Sequence, residues 1–345
     1  MRVSRRDLDG AAARGVISRD QAGELWRVLG EREGSRFDLP NVAYYLGALV
    51  VISAMTWFMT LGWERFGGGG ILAISLSYAT IFAGIGWLLW NKPGLRIPGG
   101  LLVTVAVCMT PLAIYGFQRM AGLWPQKDPG DYTEYYYWIQ GGWFAMEVGT
   151  IVAGLIALRF VRFPFITAPI AFTLWFMSMD LTPLIYGERY YDEQGYQMVS
   201  LVFGLIVLVG AYLLDRRTQE DYAFWGYLFG TFAFWGGLTM FEGGTEFEWA
   251  LYAGVNLLMV LVSVLLDRRV FIVFGAVGLF TYVGHLAWEI FEDSLLFPFA
   301  LSAVGIGIMA LGILYAKNKN RIERALMNSL PDSLKRLLPP QRRAR

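Results

Sequence analysis

The sequence predicts an all-α fold, a polytopic transmembrane helix bundle of about ten spans, and three observations lead there. Hydrophobic residues make up 56% of the chain and charged residues only 17%, below the share of about a quarter typical of a solvated globular surface. Apolar runs of about 20 residues recur, each long enough to cross a hydrocarbon core of roughly 30 Å. Basic residues are confined to alternate connections between those runs. In lipid an isolated segment satisfies its backbone groups only within itself, so each run is read as a helix.

Taken in order, the expected spans cover residues 42–62, 70–90, 98–117, 138–158, 163–185, 197–214, 223–241, 249–266, 270–290 and 295–316. Of the 29 Lys and Arg residues, eight precede the first span and nine follow the last. Alternate turns carry Lys92/Arg96, Arg159/Arg162, Arg216/Arg217 and Arg268/Arg269, leaving Arg65, Arg119, Lys127 and Arg189 on the other side. The positive-inside rule then puts both termini in the cytoplasm. The outer connections are acidic and aromatic, with Asp128, Glu134, Glu188, Tyr135 and Tyr190 among them. They read either as an interfacial aromatic belt or as a cation–π cage for an organic cation.

The chain divides into a cytoplasmic helical arm (1–40), the transmembrane domain (41–316) and a basic cytoplasmic tail (317–345). The polar arm has no leading apolar stretch of the signal-peptide kind. Within it Ser18 and Gln21 form an expected capping box, and Gly15 and Gly34 are expected helix ends. Ala22, Leu25, Trp26 and Leu29 share one face, which docks on the bundle or lipid, or recruits a cytoplasmic protein partner. The tail is expected to lie on anionic lipid, each basic residue contributing about 1 kcal/mol near the surface. It holds no nucleic-acid motif.

Repeated phrases point to helical hairpins with their basic turns in the cytoplasm. VCMTPLAIYGF (107–117) is echoed by MSMDLTPLIYG (177–187), and LLDRR occurs at 213–217 and again at 265–269. The prolines of the Thr-Pro pairs are read as stops near the outer helix ends. The run Gly67–Gly70 is read as an exposed turn, and Gly226 with Gly230 as a close-packing face, within the bundle or between protomers of a homo-oligomer.

Ionisable groups inside spans are the candidates for function. Counted from the basic turns at about 1.5 Å per residue, Glu147 lies roughly 18 Å deep, His285 about 24 Å, Asp180 about 27 Å and Glu289 about 30 Å. Glu147 is therefore the interior carboxylate, while Asp180 and Glu289 are expected at a wet outer interface. Gln140 shares a stripe with Glu147, Thr173 shares one with Asp180, and His285 and Glu289 stand four apart. If these faces converge they form an outward-opening polar pocket; otherwise they make local helix–helix hydrogen bonds. No cofactor or metal is expected, since one histidine and one cysteine, Cys108, supply no ligand motif. No His/Cys cluster or phosphate-binding loop points to an enzyme, and a Ser-His-Asp set is conceivable only around His285.

GVISRDQAGELW in the arm, YYLGALVVISAMTWFMTLGWE in the first span and TPLAIYGFQRMAGLWP in the third resemble a family of uncharacterised bacterial inner-membrane proteins with a short helical N-terminal module. The resemblance covers roughly the first 190 residues and implies a multi-pass location in the bacterial inner membrane, with no activity and no site residues attached. Two functions fit the sequence. One is a transporter-like protein for a small solute or ion, proton-coupled through Glu147. The other is a non-transporting membrane sensor or scaffold acting through its arm.

Overall fold

The computed structural model describes residues 39–62, 66–123, 142–186, 193–218, 220–240 and 245–291, pieces of the arm (8, 11–12, 15–18 and 20–25), and scattered positions from 299 to 318. The described chain is helical. Its long helices are α1 (Leu39–Gly62), α2 (Gly67–Trp90), α3 (Arg96–Cys108), α4 (Thr110–Met120), α5 (Gly142–Phe160), α6 (Thr167–Tyr186), α7 (Glu193–Arg217), α8 (Phe224–Thr239), α9 (Glu246–Leu266) and α10 (Arg269–Phe291). Among the described residues seven helices, with α3 and α4 counted as one, are long and apolar enough to cross a membrane. The outward faces agree: Leu205, Ile206 and Val209 on α7, and Leu76, Ile81 and Leu88 on α2, are all at least half exposed. Continuous apolar surface of that kind is stable against lipid and not against water. This is a membrane protein.

The helices overlap nine of the expected spans. The tenth, 295–316, lies mostly outside the described residues, as do Gln140, Trp26, Leu29, Gly34 and the acidic, aromatic segments 124–141 and 187–192. In the arm, the backbone N–H of Ser18 donates to Gln21 Oε1 at 2.9 Å and the N–H of Gln21 donates to Ser18 Oγ at 3.1 Å, closing the capping box. Gly15, at φ +73°, turns the chain before it.

Helix α2 packs on α3 and α4, α5 on α6, α7 on α8, and α9 on α10; α6 and α10 both lean on α8, and α1 rests on α3. The start of α3 and the α5–α6 and α7–α8 connections line one cleft, and Arg268 of the α9–α10 connection reaches Asp221 beside it. Small residues set the close approaches. A Cβ on Gly204 of α7 would strike the Phe234 backbone of α8, and one on Gly237 would meet the Gln197 carbonyl at 2.9 Å. Gly226 and Gly230 also face α7, so that pair packs within the bundle. Gly204→Ala is expected to lower stability by about 1–3 kcal/mol, because backbone must move to admit the methyl. Gly210→Ala on the same helix meets nothing within 4 Å and is expected to leave thermal unfolding in detergent unchanged or slightly later. Equal behaviour of the two variants would contradict this packing.

Two sequence expectations are corrected. Pro111 does not stop its helix: Met109 N–H still bonds the Val105 carbonyl at 3.2 Å, Ala113 N–H bonds the Met109 carbonyl at 3.0 Å, and α4 runs on to Met120. The proline removes one donor and interrupts the helix locally, while packing on α2 carries it forward. Gly67–Gly70 is not a loop turn but the first turn of α2. A Cβ on Gly68 would meet Arg119 Cβ at 2.7 Å, so the glycines let α2 start hard against the end of α4.

Asn256 of α9 is fully buried. It accepts from Trp235 Nε1–H of α8 at 3.1 Å and donates to the Tyr252 carbonyl at 2.9 Å. Its amide fills the space left by Gly278 of α10. One polar side chain thus ties three helices, as polar groups in lipid commonly do.

Candidate functional site

Glu147 on α5 and Asp180 on α6 come together because their helices close up on small residues. A Cβ on Gly149 would run into Ile114 of α4, and one on Gly154 would meet Ile170 of α6 at 2.5 Å. The opposite side of α6 is held to α8 by aromatic rings. Trp175 meets Phe232 edge-on at 5.1 Å, and Phe172 meets Phe229 at 5.6 Å. Trp143 of α5 stacks on Phe176 of α6 at 6.1 Å.

The result is burial. Glu147 is 5% and Asp180 7% exposed. Their carboxyl groups lie side by side, within electrostatic and hydrogen-bonding reach. Yet none of the four oxygens has a hydrogen-bond partner among the described residues. Hydroxyls on the same helices are committed elsewhere: Thr150 donates to the Met146 carbonyl at 2.6 Å and Ser178 to the Trp175 carbonyl at 2.6 Å. Ionised carboxylates only accept, so the two bond each other only when one carries a proton. Two buried like charges without a counter-charge are disfavoured by several kcal/mol. A proton or a cation held between them relieves that penalty.

Asp180 is therefore not a wet helix end. Counting rise along an axis gives depth but ignores the helices that wrap the position. Thr173 is buried two turns along the same stripe of α6. His285 and Glu289 do not join the acids. Their helix, α10, packs on α8 and α9. The His285 ring stacks on Trp249 with centroids 3.9 Å apart and 8° between planes, and its Nε2 lies 3.4 Å from Glu246. A capping box at Thr245 and Glu248 starts α9 at that level and brings Glu246 and Trp249 to the ring. Glu289 is exposed. The expected outer pocket is thus two separate places, a carboxylate pair and a histidine contact. Among the described residues no group of three or more His, Cys, Asp or Glu side chains is arranged to hold a metal.

A second polar centre, at the basic end, went unread in the sequence. Asp215 of α7 is 1% exposed and receives Arg268 through two bonds, Nη2 to Oδ1 at 2.5 Å and Nε to Oδ2 at 3.2 Å. Tyr227 O–H of α8 donates to the same carboxylate at 3.3 Å, and Arg268 Nη1 reaches Asp221 at 2.7 Å. Burial works against the Arg268 charge, but the hydrogen bond and field of Asp215, joined by Asp221, outweigh it and raise the guanidinium pKa. Arg268 reaches back because α9 stops at Leu266 and Asp267 adopts a left-handed conformation, φ 56°, ψ 37°. In the first LLDRR the helix instead continues through Arg217. The only sequence signal was the acid that precedes both arginine pairs.

No protein-family model matches the chain, and no curated protein and no solved structure matches it.

Proposed function

We propose that the protein is a transporter-like, ten-span protein of the bacterial inner membrane, with both termini cytoplasmic and a core built from helical hairpins. It moves a small solute or ion in exchange for, or together with, protons carried by the Glu147–Asp180 pair. The observation that supports this reading is the pair itself: two buried carboxyl groups, side by side, with no hydrogen-bond partner among the described residues. A structural ion pair has its cation, as Asp215 has Arg268. A pair without one is suited to exchange a proton or cation with the medium.

Proteoliposomes loaded with a pH-sensitive dye test the reading against a panel of amino acids, sugars and alkali cations. At least one probe is expected to change internal pH with the native protein, and none with Glu147→Gln. Potentiometric titration of the purified protein in detergent should also show fewer exchangeable protons in Glu147→Gln than in the native chain. Identical titration curves and identical dye responses would refute it. Loss of function on deleting residues 1–36, with Glu147→Gln unaffected, would assign the activity to the arm.

A further inference from the structure

At the basic end the bundle opens into a cleft of about 1310 Å³ between α1, the start of α3, the α5–α6 connection and the α7–α8 connection. Its polar rim carries Arg96, Arg162, Glu220, Asp221 and Tyr222. Asp221 is taken by Arg268. Arg96, Arg162 and Glu220 are exposed. Arg96 lies over the Trp90 ring at 5.9 Å. Arg162 and Glu220 both act electrostatically on Tyr222, but no salt bridge joins them. Two guanidinium groups and one carboxylate therefore line a common space with no salt bridge among them.

The inner wall is apolar, formed by Val42, Leu46 and Leu49 of α1 with Phe160 and Trp225. Phe160 also lines a second cavity of about 500 Å³, which runs along α2, α3 and α5 between Ala79, Ala83, Ala106, Ala153 and Ala157. A charged mouth thus adjoins an apolar groove between α2, α3 and α5, where alanines alternate with Trp87, Val103, Val107 and Ile156. That sequence of chemistry, two cations, one anion, then apolar depth, matches a single class of molecule already in the bilayer.

We propose that cleft and groove together hold one phospholipid with a zwitterionic, primary-amine headgroup. Arg96 and Arg162 take the phosphate, Glu220 takes the ammonium, and an acyl chain passes Phe160 into the alanine groove. Arginine suits phosphate through its planar fork of donors. A primary ammonium brings three donors to Glu220, whereas a quaternary amine brings none. An anionic headgroup without an amine would leave Glu220 facing negative charge. This inference does not rest on the transport reading.

The test uses the full chain, stripped of lipid in detergent and incubated with mixed micelles equimolar in phosphatidylethanolamine, phosphatidylcholine and phosphatidylglycerol of matched chains. Native mass spectrometry then counts the lipid retained. The native protein is expected to retain phosphatidylethanolamine over both competitors. Glu220→Gln should lower that preference about tenfold relative to phosphatidylcholine, the loss of one charge-assisted contact. Arg96→Ala with Arg162→Ala should abolish retention of all three lipids. The replaced side chains are exposed, so the fold is not at stake. Ala83→Phe, which fills the groove, should reduce retention of every lipid. Equal retention of the three lipids by the native protein would overturn the proposal, as would preference for phosphatidylglycerol regardless of Glu220. So would equally tight binding of soluble glycerophosphoethanolamine, which would mean a free phosphoryl amine and not a membrane lipid.

Discussion

Arg268→Met is expected to destabilise the protein by about 3–5 kcal/mol, the usual result of stranding one partner of a buried ion pair. Asp215 would be left 1% exposed with only the Tyr227 hydroxyl for company. The pair as a whole stabilises much less than this figure, because both charges were desolvated to form it. Asp215→Leu combined with Arg268→Met should therefore recover most of the loss, and Asp221→Ala, a half-exposed partner, should change stability by only about 0.2–1 kcal/mol. Denaturant or thermal unfolding of the purified variants in detergent measures all three. An Arg268→Met protein as stable as the double variant would mean that Asp215 is not held by this arginine.

The carboxylate pair should behave in the opposite way. Glu147→Gln and Asp180→Asn are each expected to raise stability at alkaline pH, by about 1–3 kcal/mol, because each removes a buried like-charge contact and supplies amide donors to the remaining acid. Their effects should not add: once one charge is gone, removing the other relieves nothing further. The same substitutions are those expected to end proton-linked activity, so gain of stability and loss of function should coincide. Two destabilising single variants would show instead that the carboxylates have favourable partners and form part of the scaffold.

Hydropathy marks the helices well, because lipid imposes a length and a composition on each segment that few other constraints disturb. The ten helices α1–α10 overlie nine of the apolar runs, α3 and α4 sharing one. Sequence pattern does not encode which faces meet. Depth along the helix marks Glu147 and Asp180, but it puts Asp180 at a wet end, because nothing local in MSMDLTPLIYG encodes the helices that cover it. Depth alone also groups His285 with the acids, whereas the α9 start at Thr245 brings Trp249 and Glu246 to its ring instead. Pro111's own chemistry, a missing donor, predicts a stop, whereas packing on α2 continues the helix past it. The Arg268–Asp215 bond spans 53 positions and depends on a left-handed residue that the same five-letter phrase does not adopt at its first occurrence.

That separation has a consequence for how the chain is made. Asp215 leaves the ribosome 53 positions ahead of Arg268, a delay of about 3–10 s at ordinary rates of synthesis. Until then the end of α7 carries an acid whose neutralising partner does not yet exist. The last described hairpin, α9 with α10, therefore does more than extend the bundle: it completes the part already inserted. A chain that ends at Leu266, inserted in a membrane, should have its α7–α8 connection cut by protease faster than in the full chain.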